Sequence, residues 1–513
     1  MKQNAFVKGA IVLILFNLIG KIIGAVYRIP LANLLGSVGI GEYQLVFPLY
    51  SLMLAISVSG IPVAISKIVS EYNSRGMYGD VKKLIRISLC YLFIVSLVCV
   101  AIVVFGAKFI SQLQGNSDIY LCYYGIAPAI LFVALLSVFR GYFQGCLNMI
   151  PTALSNVIEQ IGRLFLGLYF ANKLIKFGVV YGVLGAIIGI SLSEFITLLF
   201  LVVYYLIFAK KKKYVYERTF LTGKDISKQL ISTALPITIG GIASPVTSII
   251  DSLLVVNLLI FIGFNSDYAT SLLGLQSGVV DPLINIPIVI AVSISSSILP
   301  NLTDIYIKKE KSKVEILIKR AFQITLSVAV ACSVCFVIFG KQILLFLYGK
   351  TLTGEELIIS TKLLFLGGIN LIFLSLVYVS TSILQAMGKQ QLTAKSILIG
   401  SVVKILLTLI LVGIKEINIF GAMISGAVSY IVIFCINYNK IKKEIGLKLS
   451  DILFAIAIQE SLVCLFAFVA NRIFSVKFGG NVALFSGGAV AVIIFFVTYY
   501  ILYLVEKPKL ISS

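Results

Sequence analysis

Residues 139–163 read FRGYFQGCLNMIPTALSNVIEQIGR and lie between two long apolar runs, yet they carry Arg140, Glu159 and Arg163. The same mismatch recurs along the chain. Lys21, Arg28, Lys67 and Lys404 are further cations in apolar stretches, and Glu194, Asp251, Asp281 and Glu460 are further acids. A charge at the centre of a bilayer costs about 2.5–3.5 kcal/mol on insertion scales, so such groups persist where they meet a partner, a hydrated cavity or a ligand. Lys67 and Arg140 stand toward the inner ends of their runs, where a long side chain can reach the interface. Lys21 and Lys404 stand near mid-run and need water or a partner.

Spacing sorts these groups. Lys21 and Arg28 are seven residues apart, about two helical turns, and share a helix face. Gly20 and Gly24 beside them allow close helix approach or local unwinding, and Pro30 can kink the outer end. Glu159 and Arg163 form an i,i+4 pair with the acid first, the favourable order for a local ion pair. That pair reads either as helix-packing neutralisation or as part of a substrate site. The first run offers Lys21 and Arg28 no such local acid, so these two are the stronger candidates for an anionic ligand.

Enzyme chemistry finds no support. The chain has no P-loop, no GxSxG and no paired acids on a long loop. It has no His, and most of its eight Cys lie within apolar runs. Cys332 and Cys335 form a CxxC inside VACSVCFVIFG, where they read as small buried residues rather than a metal or redox pair. No metal or cofactor is expected, and the coupling ion is left open.

These groups must be positioned by membrane helices. The 513 residues are 59% hydrophobic and 12% charged, with a mean hydropathy of +1.07, whereas soluble domains have roughly 25% charged residues. Apolar runs of spanning length recur throughout. The fold class is all-α and polytopic, with fourteen spans near 6–34, 43–70, 84–107, 119–145, 153–173, 178–209, 229–257, 281–302, 317–340, 357–386, 391–413, 419–438, 451–471 and 482–505. Residues 258–280 read as a loop or an interfacial helix. The N-terminal run reads as a retained first span rather than a signal peptide, because Lys21 and Arg28 interrupt it.

With the N-terminus inside, 27 of the 42 Lys/Arg fall in inside loops and termini, 9 in outside loops and 6 within spans. That bias places both termini in the cytoplasm. The net charge of +21 therefore reads as topology and contact with anionic lipid, not as a nucleic-acid surface.

An internal echo divides the chain. Without gaps, residues 143–163 align with 384–404, pairing Gln144 with Gln385, Thr152-Ala153 with Thr393-Ala394, Ser155 with Ser396 and Arg163 with Lys404. Pro62 and Pro300 give a second echo, each before a cation-rich inside loop. Two six-span lobes in parallel repeat follow: 1–209, a basic linker 210–228, and 229–440, with 441–513 holding spans 13 and 14 as an appendage.

Several motifs carry a resemblance. KIIGAVYRIPL at 21–31, GIPVAISKIVSEY at 60–72, RGYFQG at 140–145, PTALS at 151–155 and EQIGR at 159–163 resemble the stage V sporulation protein B family. That family belongs to the multidrug/oligosaccharidyl-lipid/polysaccharide exporter superfamily, alongside MurJ-type lipid II flippases. The resemblance implies a fourteen-helix fold of two six-helix lobes around a central cavity, working by alternating access. It implies that an undecaprenyl-pyrophosphate-linked glycan, lipid II or similar, crosses the bacterial cytoplasmic membrane for peptidoglycan or spore cortex. In MurJ-type proteins arginines on spans 1, 2 and 8 line the cavity. Lys21 matches the first in place and charge, the second falls at Tyr27 beside Arg28, and spans 2 and 8 lack a central Arg here. Acids on spans 7 and 11 bind sodium in some of those proteins. Asp251 fits the first, while span 11 carries Lys404, which is expected to replace the ion as partner of Asp251.

The expected site is therefore Lys21, Arg28, Arg140, Arg163 and Lys404 toward an anionic headgroup, with Glu159, Glu194 and Asp251 as ion-pair or coupling groups. A drug or metabolite cation antiporter of the same fold is the alternative, since Glu194 and Asp251 could serve a cation. A membrane glycan polymerase would need a large outer loop, and a cell-wall scaffold would not need charged spans. Which glycan is carried and the oligomeric state stay open.

Overall fold

The computed structural model describes the backbone of residues 2–211, 220–352, 354–446, 450–478 and 480–511. Residues 212–219 of the basic 210–228 linker thus lie outside the described residues. Among the described residues there is no strand. The helices are α1 (Lys2–Val58), α2 (Ile61–Ser74), α3 (Tyr78–Leu113), α4 (Tyr120–Gly145), α5 (Ile150–Leu174), α6 (Val179–Lys211), α7 (Gly223–Phe261), α8 (Ser266–Leu273), α9 (Asp281–Ile307), α10 (Lys311–Tyr348), α11 (Gly354–Ala386), α12 (Gln390–Val412), α13 (Phe420–Ile445), α14 (Ser450–Phe478) and α15 (Gly480–Ile511).

Eleven segments are long and apolar enough to cross a membrane. One of them, Ile19–Ser74, has 56 residues, about 84 Å of helix against a hydrocarbon core of about 30 Å. It bends at Gly36, whose φ of 71° and ψ of −177° suit glycine alone, and it breaks again before Pro62 in the first turn of α2. It supplies two crossings. α5 misses the apolarity threshold because Glu159, Gln160 and Arg163 lower its hydropathy, and Leu484–Tyr500 of α15 is one residue short. With Ile19–Ser74 counted twice and these two helices added, the described residues supply fourteen candidate crossings, the number the sequence leads one to expect. The 258–280 stretch resolves as the end of α7, then α8, then a π-helical turn over Gly274–Val280.

The chain forms two compact units, 1–260 with 264–274, and 261–263 with 275–513. In the first, α5 and α6 pack backbone to backbone. A Cβ on Gly189 would overlap Gly167, and one on Gly185 would overlap the Phe170 carbonyl, which is the small-residue solution to helix packing where water exclusion supplies no drive. Asp80, fully buried, accepts the amides of Phe220 (3.1 Å) and Leu221 (3.3 Å) and so ties the chain entering α7 to α3. In the second unit, Leu302, Ile318, Phe322, Ile383 and Ile441 centre the core of α9, α10, α11 and α13.

The repeat is geometric as well as textual. After α4, Leu147 takes φ 57° and Asn148 N donates to Phe143 O at 2.9 Å; after α11, Gly388 takes φ 76° and Lys389 N donates to Leu384 O at 2.8 Å. Ser155 Oγ donates to Thr152 O at 2.7 Å, as Ser396 Oγ does to Thr393 O at 2.9 Å. Ser193 Oγ donates to Glu159 O at 2.6 Å, and Ser429 Oγ to Gly400 O at 2.8 Å. Glu159 and Gly400 share the spacing of the other pairs, so each half fixes the same helix pair at the same residue. The second echo needs a shift. Its matching turns hold Gly76 (φ 74°) and Lys309 (φ 59°), with Met77 N on Tyr72 O and Glu310 N on Ile305 O. These turns follow Pro62 and Pro300 at different distances, so the prolines themselves are not equivalent.

Leu147 occupies the left-handed region that Gly388 fills without strain, a cost of about 1–2 kcal/mol for an L side chain. Its side chain is 48% exposed, so little burial offsets that cost. Leu147→Gly is expected to stabilise by up to about 1 kcal/mol and Gly388→Leu to destabilise by about 1–2 kcal/mol, read as opposite shifts in thermal unfolding of the detergent-solubilised protein.

Candidate functional site

α5 starts at Ile150, with Pro151 in its first turn, and projects Ser155, Glu159 and Arg163 at i, i+4 and i+8 along one stripe. Four residues of unwound chain separate α4 from α5, so the two are antiparallel neighbours and Arg140, near the end of α4, meets that stripe. Arg140 Nη2 lies 3.0 Å from Glu159 Oε2, and its Nε donates to Ser155 Oγ at 3.0 Å. Arg163 Nη2 lies 3.1 Å from Glu159 Oε1 and 3.3 Å from Glu194 Oε1 on α6. Gln160 Nε2 donates to Glu159 Oε1 at 3.1 Å. Glu159 thus joins both arginines, and two positive and two negative groups cancel.

Two polar atoms of this quartet stay unspent. Arg163 Nε and the second oxygen of Glu194 are buried without a hydrogen-bond partner. Around them lie Tyr27, Tyr43 and Tyr50 of α1, all buried, with Arg163 in electrostatic reach of each.

The cations of α1 are arranged differently. Gly20 and Gly24 face Gln160, and Tyr27 faces Gly167, so this stripe of α1 is the one laid on α5. Lys21 and Arg28 each stand one residue further round. Lys21 is exposed and Arg28 half-buried. Among the described residues neither makes an ion pair. Arg28 shares the neighbourhood of Tyr27 and Tyr43 with Arg163, which sets it beside the quartet but outside its charge balance.

The structure therefore brings together Arg140, Glu159, Arg163 and Glu194, with Arg28 nearby and Lys21 two turns away along α1. Asp251 lies on α7 in the first unit and Lys404 on α12 in the second. At the second unit's equivalent of the quartet, Asn437 Nδ2 donates to Ser380 Oγ (3.2 Å) and Thr381 Oγ1 (3.3 Å) while its Oδ1 accepts from Ser396 (2.8 Å). These side chains are neutral, while Lys404 stands at the position equivalent to Arg163. The sequence paired Glu159 with Arg163 alone; the Arg140 arm and the Ser155 and Gln160 contacts went unread. The short α4–α5 connection, which makes those helices neighbours, was the signal for the first.

Removing one partner of a buried ion pair strands the other, at about 3–5 kcal/mol. Glu159→Gln strands Arg140 and leaves Arg163 with Glu194 alone, whereas Glu194→Gln leaves both arginines paired to Glu159. The expected result is a loss of thermal stability several-fold larger for Glu159→Gln than for Glu194→Gln, measured by unfolding in detergent. Equal losses would mean that Glu159 is not the shared centre.

Residues 6–306, more than half of the chain, match the model of the polysaccharide biosynthesis protein family. Among characterised relatives, stage V sporulation protein B of Bacillus subtilis is 25% identical, covering 99% of this chain and 98% of its own. Lipid II flippase MurJ of Bacillus subtilis is 27% identical over 86% and 84%. The solved structure of a lipid II flippase MurJ in an inward closed conformation superposes with a TM-score of 0.73 at 14% identity, over 96% of this chain and 99% of that one. An inward-facing multidrug resistance MATE transporter gives 0.65 at 16% identity, over 82% and 95%. The two structural likenesses establish the helical transporter fold, and the family match over the first 306 residues takes in the whole quartet and both α1 cations. The chain belongs to the polysaccharide biosynthesis protein family of multi-pass membrane proteins.

Proposed function

We propose that this protein is a flippase, not an enzyme, that carries a lipid-linked glycan with an anionic pyrophosphate head from the inner to the outer leaflet of a bacterial cytoplasmic membrane. Lipid II, or a related undecaprenyl-pyrophosphate glycan of peptidoglycan or spore cortex, is the cargo the relatives favour. Both termini then lie in the cytoplasm, and the inside loops, rich in Lys/Arg, rest on anionic lipid.

One observation carries this reading. In the first unit the arginines of α4 and α5 are neutralised by Glu159 and Glu194, while Lys21 and Arg28 share a face of α1 without an ion pair among the described residues. Lys21 and Arg28 receive the pyrophosphate. Arg140 and Arg163 hold the α4–α5–α6 packing against which α1 is set, and Arg163 can swing a donor toward the head. Lys404 is assigned to substrate binding within its own unit, and Asp251 is assigned to coupling. A cation antiporter is disfavoured because Glu159 and Glu194, the acids beside the Tyr27–Tyr43 stretch of α1, are tied to arginines.

An inside-negative potential contributes about 2.3 kcal/mol per charge per 100 mV. A doubly charged head moving outward gains about 4–5 kcal/mol from it, and the emptied positive site is drawn back inward by the same field.

Two outcomes are expected. In a strain lacking its lipid II flippase, wild type restores growth, Lys21→Ala and Arg28→Ala do not despite normal membrane levels, and Lys21→Arg does. In proteoliposomes, collapsing the potential slows headgroup translocation; an unchanged rate removes the electrical drive but leaves the headgroup site standing.

A further inference from the structure

α14 and α15 have no counterpart in the repeat, and nothing above uses them. Within α14, Glu460 is 5% exposed, and neither carboxyl oxygen has a hydrogen-bond partner. No charged side chain exerts a resolved influence on it. Its neighbours are apolar or sulfur-bearing. α14 packs on α10 around Phe339, Val463 and Ala467, with Cys335 at the edge. Cys332 and Cys335, one turn apart on α10, both feel Glu460, and Cys335 also feels Cys464, one turn further along α14. The adjoining Gln459 accepts from Ser327 at 3.2 Å and leaves its own amide nitrogen buried without a partner. Three thiols and a carboxyl suggest a metal, but no group of Cys, Asp and Glu among the described residues is spaced to hold one.

The contrast with the quartet is instructive. Glu159 meets two arginines within 3.1 Å, which offsets the cost of burying its charge. Among the described residues Glu460 makes no ion pair and no hydrogen bond, and the thiols of Cys332 and Cys335 stand near it. An ionised carboxylate left uncompensated there costs several kcal/mol, whereas the neutral acid avoids most of that cost.

We propose that Glu460, framed by Cys332, Cys335 and Cys464 between α10 and α14, is a proton-binding site within the membrane: a neutral carboxylic acid in this conformation, shut off from water, and a site of attack for apolar carbodiimides. This assignment is independent of the cargo bound by α1. The modification balances simply. The carboxyl oxygen adds to the central carbon of N=C=N, its proton passes to one nitrogen, and the O-acylisourea rearranges to a stable N-acylurea with no leaving group.

The test uses the full-length protein in membranes at neutral pH. Dicyclohexylcarbodiimide is expected to label the Glu460 peptide, seen by mass spectrometry, while a water-soluble carbodiimide leaves it untouched. Glu460→Gln removes that label and also the infrared C=O band of a protonated carboxylic acid. Labelling by both reagents alike, or no labelling together with no loss of that band in Glu460→Gln, overturns the proposal. Should Glu460→Gln fail to fold, the two-reagent comparison on wild type decides alone.

Discussion

Two arginines in the first unit are kept within a bilayer-spanning helix bundle because one carboxylate reaches both. Without Glu159, Arg140 would face the insertion cost of an uncompensated charge and Arg163 would keep Glu194 alone. With it, α4, α5 and α6 are locked in one register, since the contacts at 3.0–3.3 Å tolerate little sliding. The backbone contact between Gly167 and Gly189 works in the same direction, by bringing α5 and α6 so close that Glu194 reaches Arg163. Electrostatics and steric fit here support one arrangement, and α1 is laid on the platform they make.

That platform explains why two neighbouring sets of cations differ in chemistry. The quartet is electrically complete and so has little pull on a doubly charged anion. Lys21 and Arg28 lie round the edge of the α1–α5 contact, where Gly20, Gly24 and Tyr27 occupy the packed stripe. Seven-residue spacing keeps both on the same side of that stripe. On the proposed reading, the neutral cluster supplies rigidity and the adjoining positive face supplies attraction for an anionic head.

The two halves share backbone turns and helix-to-helix hydroxyl bonds but not charge. Ser193 on Glu159 and Ser429 on Gly400 make the same bond. Where the first half has Arg140 and Glu159, however, the second has Ser380, Thr381, Ser396 and Asn437 joined through neutral groups. The appended α14 and α15 lie outside this scheme and carry an acid of their own kind.

The sequence alone determined the class, the fourteen crossings and the repeat. A bilayer imposes a length on every span and a penalty on every charge within it, and both constraints are local and readable. The spacing of Lys21 and Arg28 and the local Glu159–Arg163 pair belong to the same category, being consequences of helical periodicity. Only the tertiary structure decided that Arg140 also belongs to Glu159, that Glu194 completes the quartet and that Glu460 has no such cation. It also decided that the second pair of turns follows Pro62 and Pro300 at unequal distances. Those outcomes depend on which helix faces which, and a hydrophobic pattern that is apolar on nearly every side does not specify that. The deciding contacts are single buried polar atoms and glycine backbones, whose partners lie up to dozens of residues away.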